Sequence, residues 1–156
     1  MKIEAGLLRQ NQALMVLFTL LEEEFSALAG NAASDVASLE FSIQELIRQL
    51  MDEKDAVKAI LDQNSFSSLE QYIDSLDKGE AGIIREILKD LEALEEQCSI
   101  QAMKNNAMAS ALAEQTAGLV KFMYDQVTPR EENVYGAGGR WHDNGSRSTG
   151  LLRGTL

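Results

Sequence analysis

A repeat of apolar residues at alternating steps of three and four runs through the segment from Gly79 to Gln126. Nine of its twelve seam positions are apolar, and this spacing predicts one long helix that is buried along a coiled-coil seam. The seam consists of Ile84, Ile87, Leu91, Leu94, Cys98, Gln101, Asn105, Met108, Leu112, Gln115, Leu119 and Phe122.

The two halves of this predicted helix differ in character. After Cys98 the segment becomes rich in Ala and Met and poor in charge, which is typical of a surface that packs adaptably. We expect the distal half to bind a partner through Met108, Leu112, Gln115, Leu119, Phe122 and Met123. The alternative is a break near 99–106, which would fold the helix back and hide these side chains as ordinary core.

Two shorter helical patterns precede the long one. The first, about 3–29, carries a seam of Leu7, Leu14, Phe18, Leu21, Phe25 and Leu28, with Glu22 to Glu24 interpreted as a solvated face. Gly30 with Asn31 provides a left-handed stop, and Ser34 or Asp35 can cap the second helix, about 34–63. The short connection predicts an antiparallel hairpin.

A short third helix is expected over 66–76. Ser65 or Ser67 can cap it, and Glu70 would complete a capping box with Ser67. The predicted fold is therefore all-α: a long antiparallel helical hairpin or coiled coil with a longer C-terminal helix, followed by a flexible tail. The body spans 1–128, and 129–156 is the Gly-rich tail that begins at the single proline, Pro129.

The acidic charge of the chain limits the classes of partner that it can bind. Residues 1–128 hold 22 Asp and Glu against 10 Lys and Arg, within a net charge of −11. A field of that sign repels phosphate, so nucleic acid and anionic membranes are poor partners. The sequence has no apolar run long enough to span a membrane and no signal-peptide pattern at its start, so we expect a cytoplasmic protein without membrane insertion.

Catalytic chemistry is not expected. The only histidine, His142, falls in the Gly-rich tail. The only cysteine, Cys98, has no helical neighbour positioned as a base, since Leu94 and Ala102 lie four residues away and Glu95 and Gln101 three, and it is interpreted as a small core residue. No inward Glu-x-x-His pair exists that could hold a metal in a helical bundle. The sequence therefore predicts no enzyme activity, no metal and no cofactor.

Three features resemble the FlgN family of bacterial flagellar export chaperones. The first is the predicted hairpin with a longer last helix, and the second is the pair Glu53-Lys54 in the second helix. The third is a tail segment similar to the family's Tyr-Gly-Ala-Asp-Gly, with a glycine in place of the acidic residue. Here it is Tyr135, Gly136, Ala137, Gly138 and Gly139. Asn106 also matches an asparagine common in the family's last helix.

The resemblance implies a function. It implies binding of the C-terminal helical segments of the hook-associated (hook-filament junction) proteins, protection of these from early assembly, and delivery to the flagellar type III export apparatus. It adds Asn106, Tyr135, Gly136 and Gly139 to the partner-binding residues. The alternative is a self-associating scaffold or adaptor, in which the same stripe forms a homodimer. The tail is either an unstructured end or a second contact site anchored by Tyr135.

Overall fold

The computed structural model describes residues 2–127, which form four α-helices and no strand. They are α1 (Lys2–Ala29), α2 (Ala33–Gln63), α3 (Leu69–Asp74) and α4 (Lys78–Val127). The chain divides into two units, Met1–Gly118 and Leu119–Leu156, and residues 119–127 are the described part of the second. The all-α prediction is confirmed, and none of the four helices combines the length and apolarity that a membrane span requires.

The buried side of α1 follows a heptad repeat without interruption. Its seam residues, each no more than 9% exposed, are Ile3, Leu7, Gln10, Leu14, Leu17, Leu21, Glu24 and Leu28. The predicted seam is therefore partly wrong: Leu17 is buried where Phe18 was expected, and Phe25 is only partly buried. The expected solvation of Glu22 to Glu24 is wrong for Glu24, whose position belongs to the seam.

A left-handed residue separates α1 from α2. Asn31 has φ 54°, the Asn31 N–H donates to the Leu28 carbonyl, and the Ala32 N–H donates to the Ala27 carbonyl. This is the Schellman arrangement, which satisfies carbonyls at the end of a helix. The predicted stop is confirmed, with Asn31 rather than its neighbouring glycine in the left-handed conformation. The predicted cap of α2 is wrong, since Ala32 is the N-cap and no side chain bonds there.

The two hairpin helices approach closely at Gly6. A Cβ atom built on this buried glycine would lie 2.6 Å from Cγ2 of Val57 in α2. Real carbon atoms do not approach so closely, so this contact requires glycine. Val57 itself is 7% exposed and belongs to the core.

The short helix α3 contributes core residues from between α2 and α4. Ile73 is completely buried, a burial that stabilises the fold by about 1.5–3 kcal/mol, and the Phe66 ring meets Tyr72 edge-on at 5.3 Å. Ser68 is the N-cap and accepts a hydrogen bond from the Gln71 N–H.

The return bond from the Gln71 side chain goes to Ser67, the residue before the N-cap Ser68. The Gln71 side chain accepts a bond from the Ser67 N–H. The predicted box is therefore displaced by one residue, because Ser67 and Ser68 offer equivalent hydroxyls and the backbone selects the second.

The long helix α4 has the predicted seam. It spans 50 residues as one helix, so the alternative with a break near 99–106 is wrong. Its buried residues are Ala81, Ile84, Leu91, Cys98 and Asn105. Asp77 begins the helix, since its carboxylate accepts the Glu80 N–H at 2.8 Å.

Candidate functional site

Two contacts fix how α4 lies against α1. The Cys98 thiol donates to the Leu14 carbonyl at 3.5 Å, and the Asn105 amide donates to the Leu21 carbonyl at 2.8 Å. Both contacts join residues 84 positions apart, so the two helices run parallel in a constant register. In this register, Ala29 at the end of α1 is level with about residue 113 of α4.

A layer of polar side chains crosses the apolar seam at this point. Asn105 is 3% exposed, and its Nδ2 also donates to Oε2 of Glu24 at 2.6 Å. Its Oδ1 accepts a bond of 3.0 Å from Nε2 of Gln101. Because all three groups have partners, the layer avoids the cost of leaving a polar group buried without a hydrogen bond. We call Glu24, Gln101 and Asn105 the polar layer.

Neighbouring residues of α2 hold the two other long helices. Arg9 of α1 donates from Nε and Nη2 to the two carboxylate oxygens of Glu53, at 2.8 and 2.9 Å. These hydrogen bonds lower the pKa of Glu53 and raise the pKa of Arg9. The next residue, Lys54, pairs with Glu95 of α4 at 2.5 Å. The Glu53-Lys54 pair noted in the sequence thus contacts both α1 and α4.

The lone cysteine belongs to the core. Cys98 is 6% exposed, and burial, followed by the nearby Glu95 carboxylate, raises the pKa of its thiol. A raised thiol pKa reduces the reactive thiolate at neutral pH, which agrees with the interpretation of Cys98 as a core residue. The described residues also contain no cluster of three or more His, Cys, Asp or Glu side chains placed to hold a metal.

The predicted binding residues of the first unit occupy two environments. Met108 and Leu112 are partly buried, and Leu112 lines an open groove beside the turn between α1 and α2, together with Leu28 and Val36. Gln115 and Asn106 are exposed. The asparagine buried in the seam is Asn105, as the heptad spacing predicts, and the exposed Asn106 stays a predicted partner-binding residue.

The described end of α4 in the second unit is apolar and exposed. Leu119, Phe122 and Met123 are 58%, 61% and 64% exposed. Val120 and Val127 are more than half exposed too, whereas Lys121 lies on the opposite side of the helix. We call Leu119, Phe122 and Met123 the distal face. Such a one-sided apolar surface is typical of helices that bind another helix.

The remaining predicted residues, Tyr135, Gly136 and Gly139, lie outside the described residues, as does His142. The boundary between the body and the tail at 128 and 129 stays a prediction.

These features define the class as an all-α helical protein with an exposed apolar helix end. The family model described as FlgN protein matches residues 1–142, and the chain belongs to this family. The FlgN family is a family of flagellar export chaperones and is not a family of enzymes. No curated protein and no solved structure matches the chain.

Proposed function

We propose that this protein is a cytoplasmic chaperone that binds the C-terminal helical segments of flagellar hook-associated proteins through the distal face. The bound segments are kept from assembling early and are delivered to the flagellar type III export apparatus. One observation carries the proposal: Leu119, Phe122 and Met123 are more than half exposed on α4, in a chain that belongs to a family of export chaperones.

The residue chemistry favours a helical cargo. An amphipathic segment that buries its apolar side only after assembly needs a temporary cover, and an apolar helix side provides one. Met123 adds a flexible side chain that adapts to cargo helices of different shape. A face of this size supports moderate affinity, which suits cargo that must later be released.

Residues outside the distal face have secondary places in this proposal. Met108 and Leu112 are partly covered within the first unit, so they offer less surface to a cargo helix. Gln115 and Asn106 are exposed and can extend the contact with polar groups. Tyr135, Gly136 and Gly139 are proposed as a second contact with cargo or export machinery, on the family resemblance alone.

The test compares two single substitutions that each add one carboxylate to an exposed position of α4. Leu119→Asp alters the distal face, whereas Ala117→Asp lies two residues earlier on the far side of the helix. Peptides covering the C-terminal helices of hook-associated proteins are titrated calorimetrically. We expect Leu119→Asp to weaken binding roughly ten- to a hundredfold, since a buried leucine contributes about 1.5–3 kcal/mol. Equal affinities for the two variants would contradict the proposal.

Sedimentation distinguishes cargo binding from self-association through the same face. A chaperone whose face is free for cargo sediments as a monomer at low micromolar concentration. A dimer that persists on dilution and dissociates only in Leu119→Asp would instead support the scaffold.

A further inference from the structure

The polar layer lies where a purely apolar seam would bury more surface. Leu14 and Leu28 are the seam residues one heptad from Leu21 in α1, and Cys98 and Leu112 are the corresponding neighbours of Asn105 in α4. A seam that repeats every seven residues can pair in more than one register, because each heptad resembles the next. Only one register places Asn105 against Glu24.

We propose that Asn105 and Glu24 set the register of α4 on α1 and thereby decide which residues of α4 are buried against α1. If α4 moved by one heptad toward the start of α1, Leu112 would take the place of Asn105. The competing register is therefore well supplied with apolar side chains.

The polar layer disfavours that competing register. After such a shift Asn105 would lie between Leu14 and Leu17, away from the Glu24 carboxylate that now accepts its hydrogen bond. A buried amide that loses its partner destabilises the arrangement that contains it. A single buried asparagine in a coiled coil is known to select one register in this way.

The register also decides which surface remains outside. With the 84-residue offset, Asn105 is buried while Met108 and Leu112 are only partly buried. A one-heptad shift would move the apolar side chain of Leu112 into the buried position that Asn105 now occupies. The register itself does not depend on the proposed function, whereas its importance for cargo does.

The test measures register directly by distance. In a Cys98→Ala background, spin labels are attached at Gln12→Cys in α1 and Glu114→Cys in α4, two exposed positions separated mainly along the helix axis. One distance is expected for this parent. In the variant that carries both Glu24→Leu and Asn105→Leu, we expect a second distance between the spin labels. This distance is shorter than the parental one by several ångströms, up to about 10 Å, because seven residues of helix rise about 10.5 Å.

Two controls separate register from simple stability. Asn106→Leu places the same substitution on the exposed neighbour, and Glu24→Gln retains an oxygen that accepts from Asn105. Both are expected to keep the single parental distance. A single unchanged distance in the doubly substituted, folded protein would overturn the proposal, and so would a second distance in Asn106→Leu.

Discussion

Asn105 of α4 and Glu24 of α1, 81 residues apart in the chain, form a hydrogen bond of 2.6 Å inside the bundle. Asn105→Ala would remove the amide that donates to the Glu24 carboxylate and to the Leu21 carbonyl. We therefore expect the free energy of unfolding to fall by about 1–3 kcal/mol. Asn106→Ala is the control and should change it by less than about 0.5 kcal/mol. Urea unfolding followed by circular dichroism measures both. Equal losses would show that the buried bond contributes nothing specific.

Gly6 is required by the approach of Val57. Alanine normally stabilises a helix relative to glycine by up to about 1 kcal/mol, but here its Cβ would overlap Val57 Cγ2. We expect Gly6→Ala to destabilise the protein by about 1–3 kcal/mol, the usual cost of overpacking. Gly82→Ala enters open space and should stabilise it by about 0.5–1 kcal/mol. Thermal unfolding of the two variants measures this difference. Stabilisation of the protein by both substitutions would contradict the prediction.

Among the non-glycine residues of the described range 2–127, Ser65 with φ 61° and Asn31 with φ 54° adopt left-handed backbone conformations after helices. Serine enters this region less readily than asparagine, and glycine enters it without strain. We expect Ser65→Gly to raise the free energy of unfolding by about 0.5–1 kcal/mol and Asn31→Gly to raise it by less. Denaturant unfolding ranks the two. The opposite order would mean that contacts of the serine hydroxyl outweigh its backbone strain.

The Arg9–Glu53 pair predicts a pH dependence. Hydrogen bonds from Arg9 lower the pKa of Glu53 from its ordinary value of 4.5 in the folded protein. The pair therefore contributes stability above that ordinary value and loses it as pH falls through the lower, folded pKa. We expect Glu53→Gln to reduce the free energy of unfolding at neutral pH, with the deficit vanishing in acid.

The control for this titration is Glu86→Gln, an exposed carboxylate of α4. The free energy of unfolding of this variant should differ little from that of the parent protein from neutral to acidic pH. Unfolding curves collected across that range give both differences. A Glu53→Gln deficit that persists unchanged below the folded pKa would show that the loss is one of packing rather than charge.

The long elements and their order could be predicted from the sequence because leucines and isoleucines recur with helical period. The seam of α4 was confirmed from Ile84 to Asn105, and so were the approximate ends of α1, α2 and α4. The buried positions of α1 were harder to predict, because this helix contacts more than one other helix. Phe18 and Leu17 are adjacent and both pack on the core, so local spacing favoured the larger aromatic over the residue that is fully buried.

Contacts between distant residues could not be predicted. Glu24 appeared solvated beside two exposed glutamates, and only the approach of Asn105 makes its burial favourable. The seven-residue recurrence of Gln10, Leu17 and Glu24 was the signal that could have shown it. The need for Gly6 likewise depends on Val57 in another helix. The distal face was recognised from its composition, whereas its cargo remains a proposal.

The most direct test of the proposed function asks whether the distal face contacts cargo. Phe122 is replaced by p-benzoylphenylalanine, a photoreactive residue of similar shape, and the same residue is placed at Ala117 as the control. Each protein is irradiated with a peptide covering the C-terminal helix of a hook-associated protein, and products are identified by mass spectrometry. Docking of cargo on the distal face predicts a crosslink to the peptide from position 122 and little from position 117. Equal crosslinking from both positions, or none from position 122 to a peptide that binds, would contradict it.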